Sequence, residues 1–171
     1  MHSCERTGHL TSTGGFSGFF RRKAFLMCCW PPRFLLRRPI PRLNCRLLEY
    51  SGAALWLVAL AGETAADRQL EVFKKAPENK EKVCDVGLWR YSRHPNYFFE
   101  WLIWVSFAVF ALGSAFGYIG LVSPAIMLYL LLRVTGIPAT EEQAVRSKGA
   151  LYERYQRETS AFVPWFHRSR R

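Results

Sequence analysis

The sequence predicts an all-α fold, a polytopic integral membrane helical bundle with an amphipathic C-terminal tail. Three observations carry this expectation. Trp101 to Leu132 is a run of 32 residues without a charged side chain. As one helix it would be about 48 Å long, too long for one untilted crossing of a ~30 Å hydrocarbon core. Gly113, Gly117, Gly120 and Ser123-Pro124 offer places to break it, so a helical hairpin is expected at roughly 97–113 and 118–135. The competing reading is a buried soluble helix pair, which so long an uncharged run disfavours.

The charge pattern is the third observation. The formal net charge of the 171 residues is +11. Residues 1–50 carry nine Lys/Arg against Glu5 and Glu49, residues 51–132 balance at seven of each sign, and residues 133–171 carry eight against four. Such an excess suits nucleic acid, anionic lipid or a phosphorylated ligand. Here the basic residues flank very apolar stretches, which membrane spans explain and nucleic-acid binding does not.

Residues 1–46 form a basic leader of uncertain structure, and the domain proper is placed at 47–171. Pro31, Pro32, Pro39 and Pro41, with Gly14 and Gly15, break any long helix in the leader. Leu47 to Gly62 is apolar except for Glu49. At about 24 Å it is a marginal span. Glu63 to Lys75 has a helical pattern, with Leu70 and Phe73 on one face, and Ala76-Pro77-Glu78-Asn79 ends it. A hairpin at 97–135 returns the chain to its starting side, so the 63–96 segment and the tail share one face, expected to be cytoplasmic. Cys4, Cys28, Cys29, Cys45 and Cys84 show no C-x-x-C spacing, so neither a zinc site nor a disulfide framework is expected.

The densest cluster of chemistry-bearing residues runs from Gly87 to Glu100. Pro95 suits the first turn of a helix, and free backbone N–H groups at a helix start favour phosphate. Arg90, Arg93 and His94 supply matching positive charge. Asn96 and Glu100 are four apart on one helix face. Glu100 opens a membrane helix, where a carboxylate is costly without a partner. It reads either as an interfacial carboxylate in water or as a buried acceptor for a ligand amide, an arginine or His94. Arg133, at the far end of the hairpin, is equally a snorkelling side chain or a site residue. Glu63 and Asp67, also four apart, divide evenly between a solvated face and a site. Glu141-Glu142 with Tyr152, Arg154, Tyr155 and Arg157 form an amphipathic tail that lies on a membrane surface or caps the site. G-x-G-x-x-G, P-loop, H-E-x-x-H and G-x-S-x-G motifs are absent from the sequence.

Four blocks, GETAADRQLEVFKK, GLWRYSRHPNYFFEWLIW, LLLRVTGIPATEEQA and YERYQRETSAFVPWF, resemble membrane proteins with a steroid 5-alpha-reductase C-terminal-like domain, over roughly 51–166. The resemblance implies NADPH or NADH bound among membrane helices and reduction of an activated C=C bond in a hydrophobic steroid or lipid-like substrate. By motif it assigns cofactor contacts to Asp67, Asn96, Glu100 and Arg133, with Lys74 a weaker match at the edge of its helix. Arg90, Arg93 and His94 complete the expected set. No metal is implied, and no catalytic residue is assigned. In that family, proton-donating and substrate-orienting residues come largely from helices preceding this region. The expectation is an N-terminally truncated chain that binds cofactor with little turnover. The R-H-P-x-Y and E-E…Y-x-x-Y patterns also resemble isoprenylcysteine carboxyl methyltransferases, implying S-adenosylmethionine as the alternative cofactor. The D-R-Q-L and H-P-N-Y-x-x-E-W blocks favour the reductase side. A non-catalytic membrane fragment is the third reading.

Overall fold

The computed structural model describes residues 42–114 and 116–166. The expected leader 1–46 therefore lies outside the described residues, except that 42–46 form the start of the first helix. The described residues belong to one compact unit spanning 37–171. Helix α1 runs Arg42–Lys75, α2 Pro95–Ala111, α3 Val122–Tyr129, α4 Ile137–Lys148 and α5 Ala150–Glu158. Short 3-10 turns at Pro77–Asn79, Gly87–Arg90 and Gly117–Leu121 and a π segment at Leu130–Val134 connect them. The chain is mostly helical, with no strand among the described residues beyond a single bridge between Ser92 and Ser160.

Helix α1 departs from the sequence reading. The sequence pattern reads as a marginal span at 47–62 followed by a helical segment at 63–75, yet the two are one 34-residue helix. Gly62 is no break, because it makes room for a neighbour. A Cβ there would lie 2.4 Å from the Phe99 ring, and one at Gly52 would lie 2.8 Å from Phe110. These two pairs set α1 and α2 antiparallel. Gly52, Ala59, Glu63 and Ala66 are buried along one stripe of α1, and small residues at this spacing let two helix backbones approach closely.

The end of α1 is as expected. Pro77 has no N–H to continue the ladder, the Asn79 amide donates to Phe73 O at 3.2 Å, and Lys74 and Lys75 sit where the helix dipole favours cations. The following loop returns to α1. Trp89 Nε1 donates to Ala66 O at 2.9 Å, and Leu88 N to Gln69 Oε1 at 2.9 Å. Gly87, at φ +58°, lies against Gln69 where a Cβ would clash.

The uncharged run folds back close to the expected positions. Helix α2 ends at Ala111, and the chain resumes helical form at Gly117. Gly117 makes the tip possible, since a Cβ there would lie 1.7 Å from Ala111 O. Trp101 Nε1 donates to Pro124 O at 3.0 Å across the pair. The returning limb is less regular than one helix, passing from 3-10 to α to π before Gly136. Thr135 N donates to Leu130 O at 3.0 Å, closing the π turn, and Pro138 opens the next helix, where its missing N–H costs nothing. Among the described residues, Gly117–Lys148 is the one helical run long and apolar enough to cross a membrane by length and composition. Most of its apolar part is left uncovered by the rest of the chain, with Tyr118, Ile119, Val122, Ile126 and Tyr129 exposed.

Candidate functional site

Two clusters grow from the Gly87–Glu100 motif, one on each side of the α2 start. The first joins α2 to α1. Antiparallel packing brings Glu63 and Asp67, one turn apart on α1, beside Glu100 on α2, within electrostatic reach of all three carboxyls. Tyr97, one turn before Glu100, feels both Glu100 and Asp67 and is hydrogen-bonded to Thr140. Glu63 is 7% exposed. On the same face of α2 as Glu100, Asn96 Oδ1 is buried with no hydrogen-bond partner among the described residues. Crowded carboxyls in a poorly hydrated place favour protons, cations and hydrogen-bond donors. They repel phosphate.

The second cluster joins α2 to the tail. Glu141 Oε1 accepts from Arg93 Nε at 2.6 Å and pairs with His94 Nε2 at 3.3 Å, while Glu141 Oε2 accepts from Gln156 Nε2 at 3.0 Å. Arg93 Nη1 also donates to the carbonyls of Gln156 and Thr159, at 2.6 and 2.9 Å. Burial pushes the Glu141 carboxyl up. The hydrogen bonds from His94 and Arg93 and their charges outweigh burial and hold it below the usual carboxylate range. The fully buried Ser92 donates to Phe162 O at 2.8 Å and accepts from His94 N at 3.1 Å. Tyr155 donates to Trp89 O. Burial, and then the Tyr152 charge, push the Tyr155 phenol up, and burial pushes Tyr152 up to about 12. Both phenols are therefore held neutral and are poor proton acids. Burial likewise raises the Cys84 thiol, which makes it an unreactive core group.

The seven expected site residues thus separate. Asp67, Asn96 and Glu100 come to the α1–α2 face. Of the partners open to Glu100, neither an arginine nor His94 is beside it, its charged neighbours being Glu63 and Asp67, which leaves the ligand-amide reading. His94 stands at the N-cap position of α2 without a side-chain capping bond, stacks on Tyr97 at 5.4 Å and turns its Nε2 to Glu141. Arg93 is consumed in the same latch, so neither group is free to meet a phosphate at the helix start. Arg90 and Arg133 are exposed, Arg133 on the π segment. Glu63 and Tyr97 are the additions that the sequence reading left out of its set. The four-residue spacing of Glu63 and Asp67 was a usable signal for the first. Among the described residues, no group of three or more His, Cys, Asp or Glu side chains could hold a metal ion.

A long helix packed on a helical hairpin, latched by a short two-helix tail, defines a helical protein with an acidic inter-helix face and a separate basic latch. The chain belongs to the family described as protein of unknown function DUF1295, whose model matches residues 19–159. That match reaches further upstream than the four motif blocks. No curated protein and no solved structure matches the chain significantly.

Proposed function

We propose that this chain is the cofactor-binding region of an integral membrane oxidoreductase of the steroid 5-alpha-reductase-like kind. It binds NADPH or NADH and acts on an activated C=C bond of a steroid or lipid-like substrate. Its hairpin crosses the membrane twice, with the end of α1, the loop 76–94 and the tail on the cytoplasmic side. The carrying observation is the meeting of three motif residues, Asp67, Asn96 and Glu100, on one face between two antiparallel helices. One of them, Asn96, presents a buried acceptor without a partner.

The residues fit part of a nicotinamide nucleotide. Asn96 Oδ1 suits a carboxamide N–H, and Glu100, Glu63 and Asp67 suit ribose hydroxyl donors. The exposed Arg90 and Arg133 are the cations of the expected set left for a phosphate, Arg93 and His94 being held by Glu141. Bound there, the reduced nicotinamide would supply a hydride. The chain's own residues orient it and exclude water, as the Phe99 ring packed against Gly62 does beside the face. The crowded carboxyls also favour a second reading, an S-adenosylmethionine-dependent methyltransferase, because a sulfonium and an ammonium are cations. The D-R-Q-L and H-P-N-Y-x-x-E-W blocks keep the reductase reading first.

NADPH fluorescence on binding to the detergent-solubilised chain tests the site. Asn96→Leu should weaken binding about five- to tenfold, the worth of one buried hydrogen bond. Glu100→Gln should also weaken it, and Arg146→Gln, on the exposed side of α4, should not. Unchanged affinity in both site variants would remove the α1–α2 face from the cofactor site.

A further inference from the structure

The tail forms a cavity of about 380 Å³ apart from the acidic face, whose wall carries Arg93, Arg157, Thr159, Ser160, Trp165 and Phe166 and also the Glu158 carboxylate, which Arg154 pairs at 3.0 Å. Its depth relative to the hairpin follows from ring contacts. Phe162 meets Phe98 edge-on at 5.6 Å and Trp101 at 6.0 Å, and Trp101 is the first residue of the uncharged run. Residues 160–166 are further pinned to the α2 start by Arg93 N to Ser160 O at 2.8 Å and Trp165 N to Tyr91 O at 2.9 Å. The cavity is therefore level with the point where the apolar hairpin begins.

Its chemistry changes over a short distance. Trp165 and Phe166 are 65% and 80% exposed, packed edge to face against each other. Exposed aromatic rings at this level match the belt at a membrane–water boundary. Beside them, the exposed Arg157 has no ion pair among the described residues. The carboxylate nearest in sequence, Glu158, is engaged by Arg154 at 3.0 Å. Thr159 and Ser160 add polar groups to the wall.

We infer that this cavity holds the phosphate of an anionic phospholipid headgroup, with Arg157 as its counter-ion and Trp165 and Phe166 along the upper acyl chain. The inference rests on the reading of the hairpin as membrane-inserted, and is independent of which cofactor binds the acidic face. A cationic side chain near an anionic headgroup is worth about a fivefold change in retention.

Native mass spectrometry of the full chain in detergent, with added phosphatidylglycerol or phosphatidylcholine, tests it. Phosphatidylglycerol should be retained over phosphatidylcholine. Arg157→Gln should cut that retention about fivefold, Arg157→Lys should preserve most of it, and Trp165→Ala should reduce it. Equal retention of the two lipids, or Arg157→Gln behaving as the parent, would overturn the inference. Displacement of the lipid by equimolar inorganic phosphate or glycerol 3-phosphate would overturn the lipid as the source of the phosphate. Release of the chain from membranes by an alkaline wash would overturn the membrane reading itself. Retention in membranes without lipid preference would overturn the headgroup site alone.

Discussion

Replacing Glu141 with alanine tests the tail latch, and the cost can be worked from its contacts. The substitution removes the acceptor of Arg93 Nε, His94 Nε2 and Gln156 Nε2 at once. Breaking a fully buried ion pair costs about 3–5 kcal/mol. Here the Arg93 and Glu141 side chains keep 10% and 17% exposure, and Arg93 retains two carbonyl acceptors. Both facts lower the figure to about 2 kcal/mol, or about 4–8 °C in the unfolding midpoint of a chain this size. Thermal unfolding in detergent, followed by gel filtration of the surviving fraction, measures it.

The effect should depend on pH with a defined sign. Because the folded Glu141 carboxyl is held below its ordinary value, its contribution is complete above the unfolded pKa. It is lost as pH falls through the folded one. The gap between parent and Glu141→Ala is therefore widest near neutrality and closes on acidification below the usual carboxylate range. A variant midpoint within about 1 °C of the parent at neutral pH would refute the latch as a stabilising element.

Other substitutions probe the packing. Gly117→Ala places a Cβ 1.7 Å from Ala111 O, a backbone atom that cannot step aside, and should lower folded yield and cost at least about 2 kcal/mol in thermal stability. Gly62→Ala meets the Phe99 ring first, a side chain and not backbone. It should cost about 1–2 kcal/mol in the same assay and be partly rescued by Phe99→Leu, whereas strict additivity would deny the contact. Tyr155→Phe leaves Trp89 O without its phenol donor and should destabilise by about 1 kcal/mol without altering NADPH affinity.

Much of this architecture was legible because it follows from local chemistry. The 32-residue uncharged run and its glycines located the hairpin to within a few residues, since only glycine tolerates the approach of Gly117 to Ala111. Pro95 and Pro77 placed a helix start and a helix end for the same kind of reason. What escaped the sequence depends on partners distant along the chain. Gly62 and Glu63 looked like the close of one apolar segment and the start of a polar one. Only packing against Phe99 makes them the middle of a single helix. Arg93 and His94 looked free for phosphate because Glu141, 48 residues from Arg93, gave no local sign of claiming them. Of the site, the spacings Asn96–Glu100 and Glu63–Asp67 were readable as helix faces. That the two faces meet required the antiparallel register set by Gly52 and Gly62.

The central claim is that the α1–α2 face takes a nicotinamide nucleotide. Parallel titrations of the detergent-solubilised chain with NADPH and with S-adenosylmethionine, read by calorimetry, test it most directly. The account predicts saturable NADPH binding that weakens in Asn96→Leu and Glu100→Gln. Binding of S-adenosylmethionine alone, weakened by the same two substitutions, would contradict it and move the site to methyl transfer.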